Sequence, residues 1–349
     1  MTPSKTENKL KTAENFDTPE AVDAEILRLL ELRAQLTLGK SSEKTASVKR
    51  LKPLLNADAK NEILRDVRSL CDALIQPRKV AFLGPMYSFT HQAALKFFGL
   101  GVELSPVTTI GSVFEEVERR QCDFGVVPVE NSTDGRVVDA LETFTHAHVQ
   151  ICGEVLLPIH HTLMSVCPRA EIKTVYSKPQ ALSQCRHWLS RNLPNVRLEE
   201  TASTAAAAQI AKNTPNSAAV ASILAAKAYG LNVLAPEIED SRSNVTRFLI
   251  LGIEDALKSA RNKTMLMFEL LHESGALADA MAIFKRNHVN LTWIESFPLP
   301  QERGKYLFFV DMEGHRSQIK IRRTLAALEK KSTRLVLLGS YPAAELEQK

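Results

Sequence analysis

What the chain lacks narrows its chemistry first. It has no CxxC pair, and its five cysteines, at 71, 122, 152, 167 and 185, are odd in number and scattered. A disulfide framework and a zinc ribbon are therefore excluded, and reduced thiols in a cytoplasm are expected. Aromatic residues make up 6 %, and no Lys/Arg run is interleaved with them, so nucleic acid is not an expected partner. The 44 basic and 40 acidic residues nearly cancel, leaving a net charge of +4. No apolar stretch reaches the length of a membrane span, so no membrane partner is expected. Residues 1–20 are polar and without the apolar core of an export signal, and they read as a disordered lead. GxGxxG and Walker A motifs are absent, so nucleotide binding has no support. The only adjacent histidines, His160 and His161, would point opposite ways on a strand, and no HExxH spacing occurs. No metal and no cofactor are expected.

The 349 residues suggest two or three domains at roughly 150 residues each. Residues 21–38 and 57–74 read as two helices from apolar residues at three- and four-residue steps. This small helical unit (21–77) must pair with a second copy or pack on the body. From Lys79 to residue 255 apolar strand-length segments alternate with helical ones. Strands are expected at 80–83, 124–129, 149–156, 161–166, 174–176 and 218–221, with helices at 90–98, 113–120, 137–143, 180–189, 202–212 and 224–229. That alternation predicts an α/β sheet whose ligands sit at strand C-terminal ends. From 263 to 342 the order is βαββαβ, the ferredoxin-like split unit.

One stretch concentrates polar chemistry. Ser241, Arg242, Ser243 and Asn244 lead into Thr246-Arg247, which open the apolar run Phe248–Leu251. Hydroxyls, an amide and two cations can hold an anion there. The plain alternative is a loop entering a strand. Ser203-Thr204 and Ser222 stand at helix starts, where free N–H groups can receive a carboxylate.

Several stretches, in order, resemble the prephenate dehydratase family. They are Gly84-Pro85 with Ser88-Phe89-Thr90-His91-Gln92-Ala93-Ala94, then Val127-Pro128-Val129-Glu130-Asn131-Ser132, then Tyr176-Ser177-Lys178-Pro179-Gln180-Ala181 with Gln184-Cys185, then Thr246-Arg247-Phe248. The resemblance implies a two-lobed, periplasmic-binding-protein-like α/β domain that converts prephenate to phenylpyruvate. It gives Thr246 the central role of donating to the leaving hydroxyl, with Asn131, Ser177 and Gln184 as partners. Ser88, Ser203, Thr204 and Ser222 become substrate-binding candidates. Glu130 is either an acid or a structural cap or salt-bridge partner, and Arg247 either binds a carboxylate or points into structure. Cys185 reads as core and His91 as a helix-face residue. Met86-Tyr87 depart from the family's usual residues at the pocket edge.

The βαββαβ segment resembles the family's ACT domain, which implies L-phenylalanine as effector and a homodimer or homotetramer. Gly275, Ala276 and Leu277, with Glu295 and Ser296, stand at its phenylalanine-binding motifs, although Phe297 replaces the family's arginine. A dimer-forming sheet without a ligand is the alternative. The N-terminal helices are similar to a fused chorismate mutase, with Asp23, Arg33, Lys44 and Gln76 at its positions. Phe16, Pro53, Asn56 and Ala57 replace the expected charged residues, and Gly39 interrupts the helix, which favours a relic dimerising unit. Arogenate as substrate, and a non-catalytic anion-binding protein, remain the competing readings.

Overall fold

A computed structural model of the chain describes residues 18–39, 56–298 and 306–345. Helices α1 (Pro19–Gly39) and α2 (Ala57–Ala73) come first. They are followed by β1 (Arg78–Leu83), α3 (Phe89–Phe98), β2 (Val102–Val107), α4 (Ile110–Glu118), β3 (Phe124–Asn131), β4 (Gly135–Arg136), α5 (Val138–Phe144) and β5 (Gln150–Pro158). The chain then crosses to a second lobe of β6 (Thr162–Ser165), β7 (Thr174–Ser177), α6 (Pro179–Gln184), α7 (Arg186–Asn192), β8 (Arg197–Glu200), α8 (Thr204–Asn213), β9 (Ser217–Ala221), α9 (Ile223–Tyr229) and β10 (Asn232–Ala235). It returns as β11 (Val245–Gly252) and ends in β12 (Asn262–Leu270), α10 (Ala276–Arg286), β13 (Leu291–Pro298), β14 (Tyr306–Glu313), α11 (Ile319–Glu329) and β15 (Ser332–Pro342).

Three sheets result. The first lobe orders its strands β2-β1-β3-β11-β5, with β4 paired to β3. The second lobe orders β10-β6-β9-β7-β8, and the C-terminal sheet β13-β14-β12-β15. The last order is that of the ferredoxin-like unit expected from the sequence. Strand β11 runs antiparallel between β3 and β5, with Thr246 opposite Asn131 and Leu157. The lobes are joined by two crossovers, 159–161 and 236–244, which bond to each other. Ile159 N–H donates to the Asn244 carbonyl at 2.8 Å, and Ile238 N–H to that of His161 at 2.8 Å.

The run Thr264–Leu270 has no polar alternation because both faces of β12 are covered. Leu266, Phe268 and Leu270 face α10 and α11 with Ile283, Phe284 and Leu328. Met265 and Met267 face the first lobe, joining Phe309 and Tyr341 to Leu249, Leu251 and Ile151 in one core. Each fully buried side chain there contributes roughly 1.5–3 kcal/mol. The approach is closest at Gly339, where a Cβ would stand 2.4 Å from the Ile151 carbonyl oxygen.

Helix α2 packs on the first lobe. Arg65 Nη1 donates to the Lys96 carbonyl, and Gly101 N–H to Ser69 Oγ at 2.9 Å. Asp23 pairs with Arg68 of α2, so this mutase-position carboxylate is engaged within the helical unit. Gln76, also at a mutase position, is exposed just beyond α2. Lys44, Phe16 and Pro53 lie outside the described residues, as does the side chain of Arg33.

Candidate active site

Alternation along β11 separates its two polar residues. Thr246 faces Asn131 at the end of β3, and Arg247 projects from the other side next to Glu130. Around Thr246 the hydrogen bonds form one connected chain. Asn131 begins an Asx turn, its Oδ1 accepting from Thr133 N–H (2.9 Å), Thr133 Oγ1 (2.5 Å) and Asp134 N–H (3.0 Å). Its amide nitrogen must therefore point the other way, and it donates to Thr246 Oγ1 at 2.8 Å and to Asn244 Oδ1 at 2.9 Å. Asn244 then donates to Gln184 Oε1 at 3.0 Å. Gln184 Nε2 donates to Thr133 Oγ1 and to the Asp134 carboxylate at 2.9 and 3.0 Å.

Two backbone N–H groups thus fix the direction of every amide in the chain. Thr246 Oγ1 receives a hydrogen bond and, among the described residues, nothing accepts its proton. A hydroxyl so placed can donate to a bound group, and the Asn131 N–H stabilises the negative charge left behind.

The other expected residues are distributed differently. Ser177 is buried and donates to the Val220 carbonyl at 2.5 Å, so it is no hydrogen-bond partner of Thr246. Ser88, Ser203 and Ser222 are N-caps, accepting from His91, Ala206 and Ala225 N–H respectively. Ser222 also reaches across the lobes to donate to the Tyr87 carbonyl at 3.1 Å, and Tyr87 stacks edge-on against Tyr229. Thr204 is buried at the start of α8.

For Arg247 the sequence left two readings, and the structure selects the internal one. The residue is 5 % exposed, and its guanidinium is held by Glu154 Oε2 (2.7 Å), Asp311 Oδ2 (2.5 Å) and Tyr341 Oη (2.9 Å). It is therefore not available to a substrate carboxylate. Lys263 completes the cluster at 2.9 Å from Glu154, so two cations face two carboxylates between β5, β11 and the C-terminal sheet. Burial pushes the Asp311 carboxyl up, against the pull of Arg247 and Lys263. Glu130 lies on this same side, where burial raises its carboxyl against the pull of Arg247. It therefore faces the C-terminal sheet and not Thr246.

Glu295 pairs with Arg136 at 2.9 Å, and Arg136 also donates to the Ser296 carbonyl. Gly275 takes a left-handed conformation, φ +86°, as the N-cap of α10. Ala276 and Leu277 line a small cavity of about 120 Å³ with Leu270, Tyr306 and Phe308. A larger cavity, about 760 Å³, lies at the far end of the first sheet from Thr246, bordered by Arg78, Phe97, Cys152 and Leu257. Cys185 is core, its thiol pushed well up by burial.

Thr133, Asp134 and His161 complete the network and are not among the expected site residues; Asn244 is expected only as part of an anion-holding loop. The signals existed: Asn244 is two residues before Thr246 and so shares its face, and Asn131-Ser132-Thr133-Asp134 is an Asx-turn sequence. His161 is buried, with its Nε2 at 2.8 Å from Gln184 Oε1. Burial lowers the pKa of both His161 and His91 from 6.5, so the fold favours the neutral form of both. The unfolded chain takes up protons first as pH falls, so the stability this neutrality contributes is present above about pH 6.5 and lost below it. Unfolding free energies from urea titrations should fall as pH drops through about 6.5, by up to about 1.4 kcal/mol per pH unit for each histidine. His91→Phe, which keeps the ring contacts to Phe82 and Tyr87, should flatten that slope; an unchanged slope would assign the loss elsewhere.

Residues 80–256 match the family model for prephenate dehydratase. The bifunctional chorismate mutase/prephenate dehydratase of Aquifex aeolicus is 40 % identical over 94 % of this chain and 97 % of its own length. The crystal structure of an Arthrobacter aurescens prephenate dehydratase in complex with L-Phe is 32 % identical, with a TM-score of 0.70 over 76 % of this chain and 90 % of that one. A quorum quenching acylase, GqqA, is 28 % identical with the same TM-score over 76 % of this chain and 98 % of its own. With the matched region spanning half the chain and relatives aligned almost end to end, the chain belongs to the prephenate dehydratase family.

Proposed function

We propose that this chain catalyses the decarboxylative dehydration of prephenate to phenylpyruvate. The observation that carries the reading is the Thr246 hydroxyl, which accepts from Asn131 while its own proton is uncommitted. Loss of water and carbon dioxide makes the substrate ring aromatic, so the driving force lies in the substrate. The protein must help hydroxide leave and shield the departing carboxylate from water. A poor acid such as a threonine hydroxyl suffices when positioned donors share the developing charge. Acyl transfer, the chemistry suggested by the GqqA relative, needs a nucleophile activated by an adjacent base. Thr246 has an amide donor as its hydrogen-bond partner, which favours proton donation.

Residues 79–255 are proposed as the dehydratase domain and 263–342 as an ACT-type regulatory domain. In the latter Gly275, Ala276, Leu277, Glu295 and Ser296 take L-phenylalanine in a homodimer or homotetramer. The Arthrobacter relative supports this, being a complex with that amino acid. Residues 21–77 are proposed as a mutase-like unit without catalysis, supported by the engagement of Asp23 with Arg68. Among the described residues no helix is long and apolar enough to cross a membrane; the cytoplasm is the proposed location.

Chorismate, prephenate and arogenate supplied separately to the pure chain test the reading. Phenylpyruvate from prephenate is expected. Phenylalanine from arogenate alone would make it an arogenate dehydratase, no turnover of either would make it a binding protein, and turnover of chorismate would restore the mutase. Calorimetry should show heat on adding phenylalanine; none at millimolar ligand would leave the sheet a dimerising device.

A further inference from the structure

We infer that His161, as its Nε2–H tautomer, is a positioning residue for the Thr246 hydroxyl, acting through Gln184, Asn244 and Asn131. The inference rests on the proposed dehydratase reading for its kinetic test, and on geometry alone for its tautomer.

The tautomer follows from the network. Gln184 Nε2 is committed to the Asp134 carboxylate and Thr133 Oγ1, so the atom facing His161 is the carbonyl oxygen Oε1. An amide oxygen only accepts, so His161 Nε2 carries a proton. Neutral imidazole then leaves Nδ1 as a bare acceptor. It is fully buried without a hydrogen-bond partner among the described residues, and the Phe89 ring stands edge-on at 5.6 Å between centroids.

The location gives this hydrogen bond its role. His161 ends the first crossover between the lobes, and Asn244 ends the second. Glu239, from the second crossover, accepts from the His161 backbone N–H at 2.8 Å and from His160 Nδ1 at 2.7 Å. The main chain at 161 is thereby held whatever its side chain. Gln184 belongs to the second lobe, Asn131 and Thr246 to the first. The His161 side chain pins Gln184 Oε1 at the hinge, where Asn244 also donates to it. Removing that donor leaves the oxygen with Asn244 as its one partner, and Gln184, still tied through Nε2 to Thr133 and Asp134, gains freedom at its carbonyl end, loosening Asn244, then Asn131, then the Thr246 hydroxyl.

The test uses the full chain with prephenate. A glutamine side chain places its terminal N–H about where the histidine Nε2–H stood, and an asparagine falls short. His161→Asn should lower kcat about tenfold, the worth of one lost hydrogen bond, with KM within about twofold. His161→Gln should recover most of that loss. Equal kinetics for the two variants, both folded by circular dichroism, would overturn the inference. Nitrogen-15 NMR of the wild type provides a readout independent of turnover and of whether either variant folds. A pyrrole-type Nε2 and a pyridine-type Nδ1 are expected for His161, and the reverse assignment would overturn it. A wild-type chain inert toward prephenate would refute the dehydratase reading instead, leaving the tautomer to decide this one.

Discussion

Thr246→Ala should lower kcat for prephenate about a thousandfold, the usual cost of removing a positioned proton or hydrogen-bond donor from a transition state. KM should change little, because the hydroxyl acts on the leaving group as charge develops and not on the bound carboxylates. Stability should fall by only about 1 kcal/mol, since the side chain gives up a single neutral hydrogen bond, that from Asn131. Thr246→Ser keeps the hydroxyl and should retain most of the rate. The measurement is steady-state formation of phenylpyruvate beside urea denaturation of the same preparations. An alanine variant with near-normal kcat would remove Thr246 from the mechanism. A variant that loses turnover and several kcal/mol together would show that the residue serves the fold.

Asp311→Ala should give the largest loss of stability, about 3–5 kcal/mol, because it leaves the buried Arg247 and the half-buried Lys263 against a single carboxylate. It also takes from Tyr341 its acceptor at 2.8 Å, stranding a hydroxyl in a core position that is fully buried. Native domains are stable by only about 5–15 kcal/mol, so the variant should unfold at much lower urea. Asp311→Asn retains a hydrogen-bonding shape and should lose less. A loss under about 1 kcal/mol for the alanine variant would mean that water enters the cluster and rescues the cations.

The sequence was most legible where an element is buried on both sides. The runs at 80–83, 124–129 and 264–270 announce themselves because nearly every residue in them is apolar and none is exposed. Strands β2, β8 and β10 were not anticipated, and all three are sheet edges. Their sequences, Val-Glu-Leu-Ser-Pro-Val, Arg-Leu-Glu-Glu and Asn-Val-Leu-Ala, carry charge, proline or exposed residues that break the apolar signal. The stretch 180–189 read as one helix is two, α6 and α7, meeting at Cys185. At the site, Thr246 and Asn131 were legible as motif residues, but their contact across 115 residues is a property of strand register. Arg247 could not be read at all from its neighbours. Its partners Glu154, Asp311 and Tyr341 come from three other strands, and no local pattern carries that information. Nothing beside His161 in the sequence marks it as part of the site, because its partner Gln184 is supplied by a helix 23 residues on.

The place of β11 in its sheet has a consequence for how the molecule comes into being. Strands β3 and β5 do not pair with each other; each pairs with β11, which comes after the entire second lobe in the chain. During synthesis the first lobe therefore waits with an open slot while residues 159–244 emerge and collapse. The strand that fills the slot brings Thr246 on one side and Arg247 on the other. The same late insertion seats the hydroxyl against Asn131 and offers a guanidinium to the sheet that is made last. A nascent chain stalled short of residue 245 has the second lobe and all of the first but β11, and so neither a closed sheet nor Thr246.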